Sequence, residues 1–254
     1  MSSDARIAET YTLPSKGMIY EEEVNPNVIL GCMKTKHEMM RLSATDYSNK
    51  VMADIIDDCI QGDIGISAYD MCLGDYQFLL FKLRTVTYGP EYEMGGRCPH
   101  CGTENYIDVD LDNLEIMEYS DDLAEMLEMT LPESGNVVTL TLQTPRTLDK
   151  ITRMVTDRKR RTRNNEDPTL IYTITNSITE VDGESKNPIE IENWIRDLPM
   201  KDTNSLLNRI TEVNNKIGVN VDVEDICVGC GRYYTAPFHI NSEFFRPSNQ
   251  WSIN

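Results

Sequence analysis

The chain has 254 residues, of which 42 are Asp or Glu and 24 are Lys or Arg, so that its formal net charge at pH 7 is −18. The length allows one large domain or two modest ones, and a hydrophobic fraction of 40% indicates a folded protein rather than a disordered one. The negative charge argues against a general affinity for nucleic acid, because phosphate backbones are repelled. Since no apolar run approaches a membrane span and no signal segment opens the chain, we expect a soluble intracellular protein.

Residues 1–92 are predicted to form an N-terminal region made of a polar arm, short strands and helices. A first helix is expected from Thr35, because Glu38 stands three residues later in the pattern of a capping box. In a second segment, residues 51–60, apolar side chains recur at three- and four-residue spacing, which is typical of an amphipathic helix. A third helix is predicted within residues 70–88. Three helices therefore lead into the part of the chain that carries the most specific motif.

That motif is a short metal-binding turn that occurs twice, as Cys98-Pro-His-Cys101-Gly102 and as Cys227-Val-Gly-Cys230-Gly231. A Cys-x-x-Cys pair followed by Gly lets the chain turn back so that both sulfurs face one cation. Two such knuckles supply the four thiolates that structural zinc prefers, and they leave no open position for catalysis. We therefore predict one structural zinc bound by Cys98, Cys101, Cys227 and Cys230.

The two knuckles are separated by far more than the ~15–20 residues of a compact ribbon. A zinc-ribbon module is therefore predicted from residues 93–112 and 219–243, with residues 113–218 inserted between its halves. Because the metal would close a very long loop, we expect its loss to loosen the whole insertion. The predicted fold class is α+β: a helix-rich chain with a zinc ribbon formed by two distant Cys-x-x-Cys knuckles and short β-ribbons.

Other interpretations of the cysteines remain open. A redox pair would need a thioredoxin-like βαβ context, which is not visible, and disulfides would need an oxidising compartment. His100 lies inside the first knuckle and could replace a thiolate ligand, although the two-residue spacing favours Cys101. Cys32, Cys59 and Cys72 stand alone and are predicted to be buried small hydrophobic residues.

The insertion, residues 113–218, is predicted to be a mostly helical domain. A β-branched strand is expected at Val137–Leu142, followed by helices at residues 147–163, Thr169–Ile178, Ile189–Leu198 and Asn204–Ile217, the last one closed by Gly218. The first of these helices ends in the basic run Arg158–Arg163, which suits the negative end of a helix dipole. This run is either a solvated helix end or a docking site for an acidic protein partner.

Residues 244–254 are predicted to form a C-terminal tail that is rich in aromatic side chains. Phe244, Phe245 and Trp251 have two interpretations. They could anchor a protein partner, since aromatic anchors carry much of the energy of interfaces, or the two phenylalanines could seal the core beside the ribbon.

No residue spacing indicates a catalytic site. The chain lacks a Gly-x-Ser-x-Gly elbow, a His-Glu-x-x-His helix and a phosphate-binding Gly-rich loop that ends in Gly-Lys-Ser/Thr. His37 and His239 have no partner at metal-ligand spacing. We therefore predict that the chain is not an enzyme.

Six short stretches, distributed over most of the chain, carry a family pattern. In chain order they are Leu13-Pro-Ser-Lys-Gly17, Gly74–Arg84 leading to Tyr88-Gly89, Cys98–Gly102, Leu198–Asp202, Cys227–Gly231 and Phe244-Phe-Arg-Pro247. In this order they resemble the baseplate hub proteins of T-even-type contractile-tailed bacteriophages. The resemblance implies a subunit or assembly factor of the baseplate hub, and it does not imply a chemical activity. It also implies other hub or tail proteins as partners, no small-molecule substrate, and assembly in the host cytoplasm.

The competing interpretation is a nucleic-acid-binding or transcription-associated zinc ribbon. Tyr106, Tyr233 and Tyr234 could stack on bases or could equally fill the core of the ribbon. Beside the knuckles only Arg97 and Arg232 are basic, and the chain as a whole is acidic. The composition therefore favours protein partners over nucleic acid.

Overall fold

A computed structural model describes residues 8–43, 49–161, 167–238, 240, 244 and 245, and every structural statement below concerns these residues. They form a mixed fold of helices and short antiparallel sheets. In the described ranges, no helix is both long enough and apolar enough to cross a membrane.

The N-terminal region combines a three-stranded antiparallel sheet with three helices. Its elements are β1 (Ala8–Thr12), β2 (Asn27–Gly31), α1 (Thr35–Ser43), α2 (Asn49–Cys59), β3 (Ile60–Gln61) and α3 (Leu73–Tyr88), with sheet order β1-β2-β3. The three predicted helices are confirmed. Helix α3 is buried on all sides: Leu79 and Leu83 are fully enclosed, and so are Phe81 and Arg84 on other faces. Arg84 donates to the carbonyls of Gly89 (2.6 Å) and Glu91 (3.1 Å), so the buried guanidinium ties the end of the helix to the next strand.

The start of α1 differs from the predicted capping box. His37 Nδ1 accepts a hydrogen bond from the Lys34 amide at 3.0 Å, while the Glu38 carboxylate binds Arg41, with Oε1 2.7 Å from Nη2. The carboxylate points forward along the helix because a charge-assisted pair with a guanidinium is stronger than a bond back to an amide. The helix boundary was predicted correctly, but its cap was not.

The two knuckles join the strands of two hairpins, which we call the ribbon pair (residues 91–110 and 222–237). One hairpin is β4 (Glu91–Arg97) with β5 (Glu104–Asp110); the other is β12 (Asp222–Ile226) with β13 (Tyr233–Pro237). A Cβ added to Gly96 would lie 3.2 Å from both Ala236 and Tyr234, so the inner faces of the hairpins pack against each other. Strand β5 alternates buried and exposed residues throughout, so one face of the first hairpin is covered and the other is exposed.

The insertion contains more strand than the sequence suggested. Its elements are β6 (Ile116–Met117), α4 (Asp122–Met126), β7 (Glu128–Thr130), β8 (Val137–Leu140), α5 (Pro145–Arg161), α6 (Thr169–Thr175), β9 (Ile178–Val181), β10 (Glu184–Ser185), α7 (Pro188–Arg196) and α8 (Met200–Asn214). Strands β7 to β10 form a four-stranded antiparallel sheet in the order β10-β9-β8-β7. A hydrophobic cluster drawn from residues 131–210 packs between this sheet and the helices.

Two predicted helix ends in the insertion are wrong. The helix from Thr169 ends at Thr175, and Ile178 begins β9 by pairing with Leu140 of β8. The β-branched residues around this point suit a strand once the neighbouring strand is available. Gly218 does not cap α8, which ends at Asn214; with φ +122° it begins a two-residue strand, β11 (Gly218–Val219).

Strand β11 closes the base of the insertion. It pairs with β6, so that Gly218 lies beside Met117 at the two ends of the inserted segment. The same strand crosses α3 at Gly74, where an added Cβ would overlap the carbonyl oxygen of Ile217. Because neither Gly74 nor Gly218 has a side chain, the base of the insertion packs directly against α3.

The described part of the C-terminal tail belongs to the core. Phe244 and Phe245 are 0% and 1% exposed. The Phe244 ring lies 5.2 Å from that of Phe81 and 5.5 Å from that of Phe238, in edge-to-face contacts. Of the two interpretations of these phenylalanines, sealing the core is confirmed and partner docking is wrong. Trp251 lies outside the described residues.

Candidate metal centre

The structure brings the four predicted ligand residues into one cluster. Cys98 Sγ lies 3.8 Å from Cys230 Sγ, and Cys101 Sγ lies 3.5 Å from Cys227 Sγ. All four sulfurs lie within 4.8 Å of one another. Sulfurs at ~2.3 Å from one tetrahedral ion would be about 3.8 Å apart, whereas a disulfide would require about 2.05 Å. The four thiols are free, and their spacing is that of a metal site.

The cluster forms because each knuckle folds as the same turn. The Gly102 amide donates to the Cys98 carbonyl at 2.9 Å, and the Gly231 amide donates to the Cys227 carbonyl at 2.8 Å. Gly102 and Gly231 have φ values of +76° and +69°, a left-handed conformation that glycine adopts without strain. The glycine after each Cys-x-x-Cys pair is therefore what allows the chain to reverse.

Hydrogen bonds favour the thiolate form of Cys227 and Cys101, whereas at Cys230 the Arg232 amide is outweighed by burial and the neighbouring thiols, which raise the pKa to about 11. Burial raises the pKa of the Cys227 thiol, but the amides of Cys230 and Gly229 and the neighbouring thiols outweigh this and lower the pKa to about 6. The Gly229 amide lies 3.3 Å from Cys227 Sγ. The Thr103 hydroxyl and amide similarly lower the pKa of Cys101. Because thiolates rather than thiols bind metals, these donors prepare the site for a cation.

The side chain of His100 contacts the opposite hairpin instead of the thiol cluster. Its Nε2 lies 3.3 Å from the carbonyl oxygen of Tyr233, and the ring is exposed. This contact joins the tip of the first knuckle to the opposite hairpin. His100 is not among the residues of the thiol cluster.

The three tyrosines near the knuckles separate into two kinds. Tyr234 is 5% exposed and fills the core of the ribbon pair, whereas Tyr106 and Tyr233 are 76% and 74% exposed. They lie on the outer faces of different hairpins. Spacing could not distinguish them, because it did not show which face of each strand the other hairpin covers.

A Cys-His-Asp arrangement in the N-terminal region was missed from the sequence. Cys59 Sγ lies 3.4 Å from His37 Nδ1, and His37 Nε2 lies 2.9 Å from Asp58 Oδ2. Nδ1 already accepts the Lys34 amide, so the ring has no free lone pair to take the thiol proton. Burial and the Asp58 charge raise the pKa of Cys59 to about 12. The group therefore holds α1 against α2, and its geometry does not suit a nucleophile.

The Leu13-Pro-Ser-Lys-Gly17 stretch is anchored on α3 by a buried carboxylate. Asp75 is 0% exposed and accepts hydrogen bonds from the Ser15 amide (2.9 Å), the Ser15 hydroxyl (2.5 Å) and the Tyr20 hydroxyl (2.6 Å). Burial raises the pKa of the Asp75 carboxyl, while these donors oppose the rise. The network fixes the turn that precedes β2, and this gives a structural reason for the motif.

A family model described as T4 bacteriophage base plate protein matches residues 22–246. No curated protein and no solved structure matches the chain. The matched range contains both knuckles and the whole insertion. The chain therefore belongs to the T4 bacteriophage base plate protein family.

Proposed function

We propose that this chain is a structural or assembly protein of the baseplate hub, that it acts through contacts with other hub or tail proteins, and that it carries one structural zinc. The family match over residues 22–246 supports the baseplate role. The six stretches that resemble hub proteins support the narrower assignment to the hub. As a component or builder of the hub it would work in the host cytoplasm during assembly and could remain in the virion tail.

The zinc is proposed on Cys98, Cys101, Cys227 and Cys230. The observation that carries it is the convergence of four thiols, two from each end of a long insertion, within 4.8 Å. Four thiolates fill a tetrahedral zinc and leave no position for substrate, so the metal would stabilise the fold and take no part in a reaction. In this role it would hold the two hairpins of the ribbon pair in one geometry.

The proposed organisation has four parts: residues 1–92, a ribbon module of residues 93–112 and 219–243, the insertion at residues 113–218, and a tail at residues 244–254. The separate hydrophobic cluster within residues 131–210 supports the insertion as a unit. The buried residues of the ribbon pair join the core of the N-terminal region. We propose that the module and the N-terminal region act together as one platform.

The hub role is tested by infecting cells with a phage that lacks the gene for this chain and by supplying the chain from a plasmid. We expect lysates without complete baseplates, restored by the wild-type chain and by Cys32→Ser, and restored poorly by Cys227→Ser because the ribbon pair is lost. Normal yields of tailed particles in the absence of the chain would refute the proposal. Its copy number in purified virions then separates a resident subunit from an assembly factor.

A second candidate, nucleic-acid binding, is favoured by the exposed rings of Tyr106 and Tyr233 beside the knuckles. The carboxylates around Tyr106 oppose it, because Glu93 and Asp108 are exposed on the same face of the hairpin. Titration of the chain with single- and double-stranded DNA distinguishes the two functions. Tight binding that weakens steeply with salt would support the second candidate.

A further inference from the structure

Helix α5 carries a basic stripe on an otherwise acidic protein. Residues 146, 150, 153, 160 and 161 fall on one side of the helix at helical spacing, and all are Arg or Lys. Asp157 is the one acidic residue in the stripe. All of these side chains are exposed. The sequence had indicated only the end of this helix as basic, so the structure extends the charged surface by more than two turns.

The stripe borders an open cleft of about 460 Å³, whose lining includes Lys50, Tyr69, Arg146, Lys150 and Arg153. The Arg146 guanidinium lies 4.5 Å over the Tyr69 ring and binds Asp70 through two bonds of 2.5 and 2.7 Å. Among the described residues, neither Lys150 nor Arg153 forms an ion pair with a carboxylate. The cleft therefore offers exposed cations to an external group, while the Tyr69 ring, 5% exposed, lies beneath the Arg146 guanidinium.

The cleft is held rigidly, because α5 is fastened to α2. The Asp149 carboxylate accepts the amide of Lys50 at 3.1 Å and the side-chain amide of Asn49 at 2.9 Å, which caps the start of α2. The Tyr69 hydroxyl donates to the same carboxylate at 3.2 Å. The backbone that carries Lys150 and Arg153 is therefore fixed in place before a partner binds.

The complementary surface lies on the same chain, on the outer face of the β4–β5 hairpin. Glu91 faces Asp110 and Glu93 faces Asp108 directly across the strands, and all four are exposed. Like charges in this position destabilise a hairpin. The next pair on the same face is Gly95 with Tyr106, whose ring is 76% exposed beside a position without a side chain. The face thus presents an exposed aromatic ring flanked by exposed carboxylates.

We propose that this face of one copy docks on the basic stripe of a second copy, with Tyr106 in the cationic cleft and with Glu93 and Asp108 against Lys150 and Arg153. Residues three apart on a helix and residues opposed across antiparallel strands are both spaced by about 5–6 Å, so two cations can meet two carboxylates in register. A buried aromatic anchor with charged neighbours is the usual composition of an interface centre. The contact is heterologous, so it builds a ring or an open chain of copies.

The proposal rests on the two surfaces alone and is independent of the hub assignment. Its test uses the full-length chain in sedimentation velocity at fixed ionic strength. Variant one is Lys150→Glu with Arg153→Glu, which reverses the charge of the two proposed contact cations. Variant two is Glu93→Lys with Asp108→Lys, which reverses the charge of the two proposed contact carboxylates. We expect the wild type to self-associate and each variant alone to do so about tenfold or more weakly.

Mixing the variants gives the decisive result. Variant one keeps the acidic face and variant two keeps the basic stripe, so an equimolar mixture is expected to form a dimer that neither forms alone. Lys34→Glu with Arg196→Glu is the charge-matched control for variant one and is expected to associate like the wild type. Tyr106→Ala is expected to weaken association, whereas Tyr233→Ala, which removes an equally exposed ring from the other hairpin, is not.

A wild type that stays monomeric would overturn the proposal, and so would a mixture that forms no dimer. Circular dichroism melting curves confirm that each variant is folded before it is compared. If the basic stripe binds a DNA duplex while the chain stays monomeric, the occupant is nucleic acid and the self-association proposal is wrong.

Discussion

The ribbon pair and the insertion differ in what holds each of them together. Each hairpin of the ribbon pair has only two strands, and an isolated two-stranded hairpin is marginally stable at best. The insertion has a four-stranded sheet, several helices and its own hydrophobic cluster. Its base is also closed by the pairing of β6 with β11, next to Gly74 of α3. Cross-linking by the thiol cluster therefore matters for the ribbon pair far more than for the insertion.

The expected effect of metal loss is therefore smaller in the insertion than the sequence suggested. From the sequence alone, loss of the site was expected to loosen the whole insertion, because the four cysteines were the only visible closure of the long loop. The structure contains a second closure, at Gly218 and Met117, which does not depend on the cysteines. We now expect the damage to stay in the ribbon pair and in the core residues beneath it.

The largest effect is expected from removing the proposed zinc. Cys227→Ser, or a chelator, should unfold the ribbon pair, because structural zinc in small sites contributes about 10–16 kcal/mol of apparent binding energy that is also folding energy. Hydrogen exchange should accelerate at amides 91–110 and 222–237 and stay slow at residues 131–210. Cys32→Ser, which removes a thiol outside the cluster, is the control. Equal acceleration of hydrogen exchange in the ribbon pair and in residues 131–210 would contradict an effect confined to the ribbon pair.

A cavity in the core of the insertion should destabilise the insertion and leave the ribbon pair intact. Leu206 is fully buried in the cluster of residues 131–210, and Leu206→Ala is expected to cost ~2–5 kcal/mol of unfolding free energy. Urea titration measures the loss, and zinc content should be unchanged. Leu42→Ala, at a leucine that is 65% exposed, should be nearly neutral. Loss of bound zinc from the Leu206 variant would show that the two regions depend on each other.

The close approach of α3 to β11 can be tested with a single substitution. Alanine usually stabilises a helix relative to glycine by up to ~1 kcal/mol, but a Cβ at Gly74 would overlap backbone atoms of Ile217. Gly74→Ala is therefore expected to destabilise the chain by ~1–3 kcal/mol. Gly95→Ala, where an added Cβ meets nothing within 4 Å, is the matched control. A thermal melt in which Gly74→Ala is as stable as Gly95→Ala would contradict the close approach.

The smallest effect concerns acid stability of the insertion. The Asp202 carboxylate accepts the amides of Glu133 (2.8 Å) and Ser134 (2.9 Å). Burial raises the pKa of Asp202, but these donors and Lys201 outweigh it, so the pKa lies below 3.8. Its contribution is therefore present above pH 3.8 and is lost as pH falls through the lowered pKa.

Asp202→Asn is expected to be less stable than the wild type at neutral pH and to lose less stability on acidification. Urea midpoints between about pH 2 and pH 6 measure this difference. Asp121→Asn, the same change at an exposed residue, is the control for the loss of one charge. Parallel profiles for the wild type and Asp202→Asn would count against the assignment.

Short sequence patterns predicted the features that depend only on residues close together in the sequence. Helix α2 follows from the spacing of its apolar residues, and the two knuckle turns follow from Cys-x-x-Cys-Gly. The family resemblance, which rests on short stretches along the chain, is confirmed by the match over residues 22–246.

Features that depend on distant partners were missed. Ile178 was assigned to a helix because the strand that pairs with it, β8, lies far away in sequence. Gly218 was interpreted as a helix cap, although its role is to approach Gly74. The contact of His37 with Cys59 joins two helices, and no spacing rule relates them. In each case a tertiary contact decided the role of a residue whose local sequence suggested another one.

The central claim is that one zinc, held by four thiolates from both ends of the insertion, joins the two hairpins. X-ray absorption spectroscopy of the purified full-length chain, with metal content measured on the same sample, tests it most directly. We predict one zinc per chain with four sulfur neighbours at ~2.3 Å, and loss of bound zinc in Cys227→Ser but not in Cys32→Ser. A chain without zinc, or a zinc with nitrogen or oxygen neighbours in place of any of the four sulfurs, would contradict the claim.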